Sequence, residues 1–567
     1  MANFTISPGV ALNEIDNTFL VGQPVQAGAA IIGPSVKGPI EVPTLVTSYS
    51  DYVNRFGDTF TSGSDTYSYL TSISAYSFFQ NGGESLLVTR VVSSSADYTS
   101  ATSSIIGGEA VTDVFVLETI SEGAIMNSTS TEGAAGDLPS GSKDNVRWEI
   151  ATSNTSSGTF TLLIRQGDDR TNKKQVLETY NNVSLDPYSE RYLLKVVGDQ
   201  KLTYNSTNEQ LEITGNYPNA SRYVRIKSIN AQTPSYFDNN GVAKIEFTGS
   251  IPEIGTGTFG TATGTIKGGE NYYDKINGTD TQGLVAESYT DAITLLKNME
   301  TYKFNVLSVP GLTNESYSST ISTLITNIQD RGDAILVFDL TNYDSGVTAA
   351  VAQASSKDTS YAATYFPWVS IIDPGTGKYV WIPASTLIPG VYANNDKKAA
   401  PWFAPAGINR GGLSNVLRTK FKLTQGNRDT LYEANVNPLA TLPREGVVVF
   451  GQKTLQKEAS ALDRVNVRRL LINLKNYIRQ IADTIVFEQN TATTRNSFLA
   501  RVTPFLETVQ QKQGLYAFKV VMDDSNNSPD VIDRNQLIGQ VYIQPTRTAE
   551  FISVDFILLP TGAEFPS

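Results

Sequence analysis

The segment GTGTFG at Gly255–Gly260 has the glycine spacing of a dinucleotide-binding fingerprint. That fingerprint needs a strand before it and a helix after it, so that phosphate meets a helix N-terminus. Here TATGTIKGG follows, a turn-rich stretch without helical periodicity, so the segment is expected to be a polar β-loop and no cofactor is expected. Asp523-Asp524 could work as an acid–base pair or hold a cation. In MDDSNNSPDVID, however, the two carboxylates sit in a polar stretch that reads as a solvated turn. The N-x-Ser/Thr sequons at Asn127 and Asn205 matter only on a glycosylating secretory route.

The 567 residues include no histidine and no cysteine. Their absence removes the commonest general base, the usual partner of a catalytic serine, thiolate chemistry, disulfides and the commonest zinc ligands. Carboxylates or lysine could still catalyse, but no convergent polar constellation can be assembled from the sequence. The expectation is no catalytic residue, no metal and no enzyme.

The feature that stands out is a basic helix. In SALDRVNVRRLLINLKNYIRQIADTIVFEQN, Val467, Leu470, Leu471, Leu474, Ile478, Ile481 and Ile485 form one apolar stripe at helical spacing. Arg464, Arg468, Lys475 and Arg479 share a neighbouring arc of roughly 60°. Only Arg479 in that arc has an acid at helical pairing distance, Asp483. Ser460 with Asp463 reads as a capping pair at the start. A solvated face is the plain reading of such an arc; its location argues for more. The chain carries a formal charge of −12, yet residues 401–522 hold 17 Lys and Arg against 8 Asp and Glu, a net of +9. The remainder holds 27 against 48, a net of −21. A basic module on an acidic body suits an acidic partner, either nucleic acid or an acidic protein surface. No stacking aromatics or groove-reading motif accompanies the arc, so direct nucleic-acid binding is not expected.

The surrounding elements follow from periodicity and punctuation. At roughly 150 residues per domain the length suggests about three or four domains. Helices are expected from near Ser50 and over Tyr69–Phe79, the latter stopped by Asn81-Gly82-Gly83, with Leu86–Val92 a buried strand. From Ser93 to Val285 short alternating runs between Ser/Thr/Gly/Asn-rich loops predict one or two all-β modules. YKFNVLSVPG, SSTISTLITNIQD and DAILVFDL then form a strand–helix–strand unit of a parallel sheet, continued by strands around Ser370 and Val380. A second helix is expected around Arg495–Gln510 and a strand over GLYAFKVVMDD. The opening residues lack a basic stretch followed by an apolar one, so no secretory signal is expected. No apolar run approaches the ~20 residues of a membrane span, so no membrane insertion is expected.

Near the end, Ile552, Val554, Phe556 and Leu558 alternate with polar residues as in a half-buried strand. NFTISPGVALNEID at the start is another short strand-like run, with Ile6, Val10 and Leu12 as its apolar positions. Two loose apolar strands are a hazard for a monomer unless something pairs with them.

Nine stretches, in order, carry a family likeness. They are SPGV with Glu14 and Asp16, GPSVKGPIEVPTLVTSYSDYVNRFGD (Gly33–Asp58), FFQNGGESLLVTRV (Phe78–Val91), FPWVSIIDPGTGKYVWIPAS, GVYANND, PWFAPAGINRG, LDRVNVRRLL, FEQNTATTR and GQVYIQPTRTAEFISVDF. Residues 1–95 and 366–567 thereby resemble contractile phage tail sheath proteins. The resemblance implies a structural subunit that polymerises as helical rings around a tail tube. Contraction of the rings would drive the tube through a bacterial envelope during genome delivery. It implies as partners further copies of the chain, the tube protein, and baseplate and tail terminator or neck proteins, in a virion tail assembled in the host cytoplasm. A sheath of a headless injection device or phage-tail-like bacteriocin is the alternative.

The implied fold is a multidomain α+β or α/β chain with five parts. Residues 1–25 are an N-terminal arm; 26–95 with 286–400 are an α/β middle domain; 96–285 are an inserted, outward-facing β-rich part. Residues 401–543 are a basic, tube-facing mixed α/β domain, and 544–567 are a C-terminal arm. The arms, through Ile6, Val10, Leu12, Ile552, Val554, Phe556 and Leu558, are implied to be exchanged between subunits. Asn17–Ala27 and Gln544–Glu550 are implied to be their flexible connections. Arg464, Arg468, Lys475 and Arg479 would face the tube.

Overall fold

The computed structural model describes residues 25–62, 64–108, 113–266 and 276–551. Its frame is one eight-stranded sheet built from Ala29–Gly33 (β1), Thr44–Val46 (β2), Leu86–Arg90 (β3), Val306–Thr313 (β4), Ile335–Asp339 (β5), Ala362–Phe366 (β6), Asn437–Leu442 (β7) and Gly446–Val449 (β8). The order is β8-β7-β6-β5-β4-β1-β3-β2. Strands β7 through β3 run parallel, and β8 and β2 are antiparallel edges. Strands β1, β3 and β5 are buried along their whole length, as helices on both faces of a parallel sheet require. That is why AAIIG, LLVTR and ILVFD read as continuous runs rather than alternations.

Helix α1 (Tyr49–Phe56) starts where Ser48 accepts a hydrogen bond from the Asp51 amide at 3.0 Å. Helix α2 (Leu70–Gln80) is buried on most sides. The long crossover α3 (Asn314–Arg331) turns Ile321, Leu324, Ile325 and Ile328 onto the sheet and ends at Gly332, whose φ of 68° suits glycine. Helix α4 (Ile388–Lys398) completes this layer. None of the described helices is long and apolar enough to cross a membrane.

Residues 101–262 build a second, separate core. A four-stranded sheet (176–184, 159–166, 146–154, 255–258) and a three-stranded sheet (224–229, 115–122, 100–105) enclose it. Phe115 and Phe160 stack within it at 5.8 Å. The sequence leaves one or two modules open; the shared core makes it one. A hairpin, Lys201–Asn205 with Gln210–Thr214, sends Tyr204 and Leu211 back against the frame's core.

Polar contacts fasten this module to the frame. Arg90, fully buried at the end of β3, donates to the carbonyls of Gly38 at 2.6 Å and Glu122 at 2.8 Å. Lys37 pairs with Asp144 at 3.4 Å and Arg222 with Asp51 at 3.3 Å. Glu41 lies buried in this joint, and burial, with Asp291 and Glu122 nearby, pushes its carboxyl up to about 7 against a hydrogen bond from Ser95. Because the folded state holds the proton more tightly than the unfolded one, stability falls as pH rises between about 4.5 and about 7 and stays low above that. Glu41→Gln, which cannot ionise, is expected to remove about 2 kcal/mol of that loss, a value discounted for partial solvent screening. Thermal melting of both proteins at pH 5 and pH 8 measures the difference.

The sequence boundary at residue 401 is not where the packing changes. Strands β7 and β8 belong to the frame sheet, and Leu413, Leu431, Val436, Leu439, Val449 and Leu455 to the frame core. The charge shift after Pro401 reflects surface residues, whereas burial of apolar side chains decides which core a segment joins. The third core is formed after residue 465 by α5 (Val465–Asp483), α6 (Ala492–Gln511), β9 (Leu515–Val521) and β10 (Gln540–Pro545).

Candidate functional site

Doubly wound sheets bind ligands beyond the carboxyl ends of adjacent strands where the strand order reverses. Here that position lies between β1 and β4, and protein fills it. Gln282, 2% exposed, accepts from the Leu70 amide at the start of α2 at 3.0 Å and donates to the Pro310 carbonyl at 3.2 Å. Thr281 donates to the Gly311 carbonyl at 2.7 Å. A Cβ on Gly311 (φ 96°) would stand 2.7 Å from the Gln282 amide nitrogen. The helix N-terminus that could have met phosphate thus meets a glutamine.

The sequence's other chemical candidates have structural partners. Gly255–Thr258 is an edge strand on the 146–154 strand rather than a loop. A Cβ on Gly257 would meet the Trp148 indole at 2.4 Å, so glycine is what lets it pass. Asp523 is held by Ser525 within its own turn, and Asp524 pairs with Arg495 at 2.9 Å. Among the described residues no group of three or more His, Cys, Asp or Glu could hold a metal.

Helix α5 does not start as its sequence suggests. Ser460 caps a short 3-10 turn, Ala461–Asp463, and α5 begins after Arg464 without a side-chain cap. Its apolar residues divide between two cores: Val465 and Ile472 join the frame, while Leu470, Leu474 and Ile481 join the C-terminal core. The basic arc is divided too. Arg464 is half-buried and donates to Glu550 at 2.9 Å. Arg468 is 4% exposed; it bonds Ser360 and lies 4.0 Å from the centre of the Tyr361 ring. Lys475 and Arg479 are exposed and make no ion pair among the described residues. The arc is continuous on the helix, but the frame covers its first half.

Arg469, absent from the sequence candidates, is buried between α5 and α4. It pairs with Asp396 and lies 4.6 Å from the Tyr392 ring centre. Its spacing from Val465 and Ile472, four and three residues away, was the available signal. Glu550 was missed as well. It accepts from Gln452 at 2.9 Å, from Arg464 and from the Tyr432 hydroxyl. Burial would raise its carboxyl, but the hydrogen bonds from Tyr432, Gln452 and Arg464 outweigh it and hold it below the ordinary range. The stretch Gln544–Glu550, expected as a flexible connection, therefore ends on a clasp and begins inside β10. Val25–Ala27, expected in the other connection, is likewise a strand, paired in parallel with Tyr302–Phe304.

Strands β9 and β10 form a two-stranded antiparallel sheet against α6. Neither has a second strand partner among the described residues. Tyr516 and Tyr542 stand exposed on it at 63% and 56%. The expected exchange residues Ile6, Val10, Leu12, Ile552, Val554, Phe556 and Leu558 lie outside the described residues.

Comparison with known proteins finds two domain families that parts of the sequence match. Residues 284–455 match the phage tail sheath protein central domain, and residues 457–558 match the phage tail sheath C-terminal domain. The division falls where the frame core gives way to the third core. The tail sheath protein of Vibrio phage KVP40 is 30% identical over 360 residues, 60% of this chain and 52% of that protein. That of Enterobacteria phage T4 is 38% identical over 185 residues, 33% of this chain and 28% of that protein. The chain thus spans about half the length of the first relative and less of the second. The crystal structure of a sheath tail protein from Listeria innocua superposes with a TM-score of 0.50 at 10% identity, covering 92% of this chain and 95% of that one, a likeness of fold. The resemblance to phage tail sheath proteins holds over both matched domains.

Proposed function

We propose that the chain is a structural subunit of a contractile tail sheath. In this reading copies polymerise as helical rings around a tail tube, and contraction drives the tube through a bacterial envelope. The observation that carries it is the pair of sheath domains in order, on a body whose last described sheet has unpaired outer edges. A strand from a neighbour would satisfy those backbone groups by β-augmentation. A head-to-tail contact of that kind repeats into an open helix rather than a closed dimer. The arms at 1–25 and beyond Glu550 are the donors, and β9 with β10 the acceptor. The β-rich module at 96–285 faces outward, and the basic module at 401–543 faces the tube. The subunit's work is mechanical rather than catalytic, in a virion tail assembled in the host cytoplasm and joined to baseplate and terminator proteins.

Lys475 and Arg479 are the tube-facing pair in this reading. Arg464 and Arg468 are engaged inside the subunit and serve its integrity. Exposed ion pairs contribute at most about 1 kcal/mol each and are weakened by salt, so many per ring could hold an extended state and still release in contraction. Negative-stain microscopy of the purified protein tests the class: hollow cylinders are expected, and dispersed particles at high concentration would refute it. Lys475→Glu with Arg479→Glu is expected to abolish co-assembly with the tube while empty cylinders still form. Unchanged tube binding would remove the two residues from that role.

A further inference from the structure

Lys37 and Asp144 meet where the frame joins the β-rich module, and their surroundings do not suit an ordinary ion pair. Among the described residues Lys37, 6% exposed, is the most deeply buried lysine, and Asp144 is 7% exposed. The Lys37 Nζ donates to the Asp144 backbone carbonyl at 3.3 Å and stands 3.4 Å from its Oδ1. Strong charge-assisted contacts are shorter, about 2.7–2.9 Å, and a buried pair needs them to offset the loss of hydration. Burial accordingly holds the Lys37 amine below the ordinary lysine range, against the attraction of Asp144. Burial also raises the Asp144 carboxyl, against Lys37 and Lys143. Both groups are moved toward their uncharged forms, a free amine facing a carboxylic acid.

Backbone contacts keep the two in place. The Lys37 amide donates to the Phe56 carbonyl at 3.0 Å, and the Lys37 carbonyl accepts from the Ser35 hydroxyl at 2.8 Å. On the other side the Ser142 hydroxyl accepts from the amides of Asp144 and Asn145, each at 3.2 Å. Gly57, at φ 74°, lays bare backbone against the carboxyl group: a Cβ there would stand 3.2 Å from Asp144 Oδ1 and 2.8 Å from Val36 Cβ. Val36 belongs to an apolar cluster with Phe60 and Tyr69. Two further charges, Lys143 and Asp58, act on the pair. They are paired with each other, and Lys143 also donates to the Thr59 hydroxyl at 2.8 Å, so its amine does not compete for Asp144.

We propose that Lys37 and Asp144 condense into an isopeptide bond that staples the β-rich module to the frame. The lone pair of the Lys37 Nζ, a desolvated lysine nucleophile, attacks Asp144 Cγ. The Nζ–Cγ bond forms, the bond from Cγ to the hydroxyl oxygen breaks, and the hydroxyl leaves as water with one proton from Nζ. No oxidant, reductant or cofactor enters, and the chain becomes lighter by one water. The positive charge of Lys143 favours the unprotonated amine and steadies the negative charge that develops on the carboxyl oxygen. The bond closes a loop of about a hundred residues, which narrows the unfolded ensemble. It does not depend on the sheath reading.

The mass of the full-length chain, denatured after incubation in its folded form at neutral pH, tests the proposal. It is expected one water below the sequence mass. A tryptic digest is expected to contain a branched peptide joining Lys37 to Asp144, with no cleavage after Lys37. Asp144→Ala is expected to restore the sequence mass, and both readings on the parent chain stand whether or not that variant folds. A parent chain at its full sequence mass overturns the proposal. So does a chain one water lighter whose digest holds no branched peptide, since a cyclised aspartyl residue also loses water. An Asp144→Ala chain that is still one water lighter places the loss elsewhere and overturns it as well.

Discussion

Removal of Phe551–Ser567 is expected to leave a folded, soluble subunit that forms no cylinders. The cut falls just outside the Glu550 clasp, so the contacts of Glu550 with Arg464, Gln452 and Tyr432 survive. Phe551, 82% exposed, meets Tyr432 edge-on at 6.4 Å, and its loss should shift the melting temperature little. Assembly should respond very differently. In the strand-donation reading proposed above, burial of Ile552, Val554, Phe556 and Leu558 in a neighbour's sheet would contribute about 1.5–3 kcal/mol each. Even after the cost of ordering the strand, several kcal/mol per interface disappear with them. Val554→Pro provides the same test without shortening the chain, since proline withdraws a ladder donor. Sedimentation of both variants beside the full-length protein, with negative-stain images, measures the outcome. Cylinders from either one at the yield of the full-length chain would refute strand donation by this segment.

The frame was legible in sequence because a parallel sheet covered on both faces leaves continuous apolar runs, as in DAILVFDL, with α3 spaced between two of them. The helix near Ser50 and the stop at Asn81-Gly82-Gly83 could be read from local signals, although the cap at Ser48 was seen only in the structure. What could not be read depends on partners far along the chain. The arc of Arg464, Arg468, Lys475 and Arg479 follows from helical period alone. That Arg468 disappears against Ser360 and Tyr361 is decided more than a hundred residues away. Glu550 looks like an ordinary polar residue in QPTRTAE until Tyr432 and Gln452 are brought to it. Gln282 carries no local sign that it closes the mouth between β1 and β4. The boundary drawn at 401 failed for a related reason: local charge describes the surface, whereas membership in β7 and β8 is fixed by a sheet assembled from both ends of the chain. Ser460 and Asp463 have the right spacing for a cap, but a 3-10 turn uses the serine before α5 begins.

Arg469→Ala is expected to destabilise the joint between the frame and the C-terminal module by about 3–5 kcal/mol, since it both opens a cavity and unpairs a charge. Arg469 is 5% exposed. It links α5 to Asp396 on α4 and to the face of Tyr392, whose hydroxyl meets that of Tyr365 on β6 at 2.8 Å. Burial would lower the guanidinium's proton affinity, but Asp396 outweighs it and the shift is upward, so the pair is held charged. Arg469→Lys keeps the charge without the planar stack and should still lose about 2 kcal/mol. Arg469→Met with Asp396→Asn leaves no unpaired charge and should recover most of the loss. Scanning calorimetry resolves where the damage falls. The β-rich module, with its own core, should melt as before, while the transition that includes α5 moves down. The consequence reaches function. Because α5 contributes Val465 and Ile472 to one core and Leu470 and Leu474 to the next, with Arg469 between them, frame and C-terminal module are built to move as one body. In the sheath reading proposed above, displacement between subunits would then fall outside this body. An Arg469→Ala protein that melts like the parent would mean the apolar faces alone hold the joint, and the rigid body would no longer depend on this arginine.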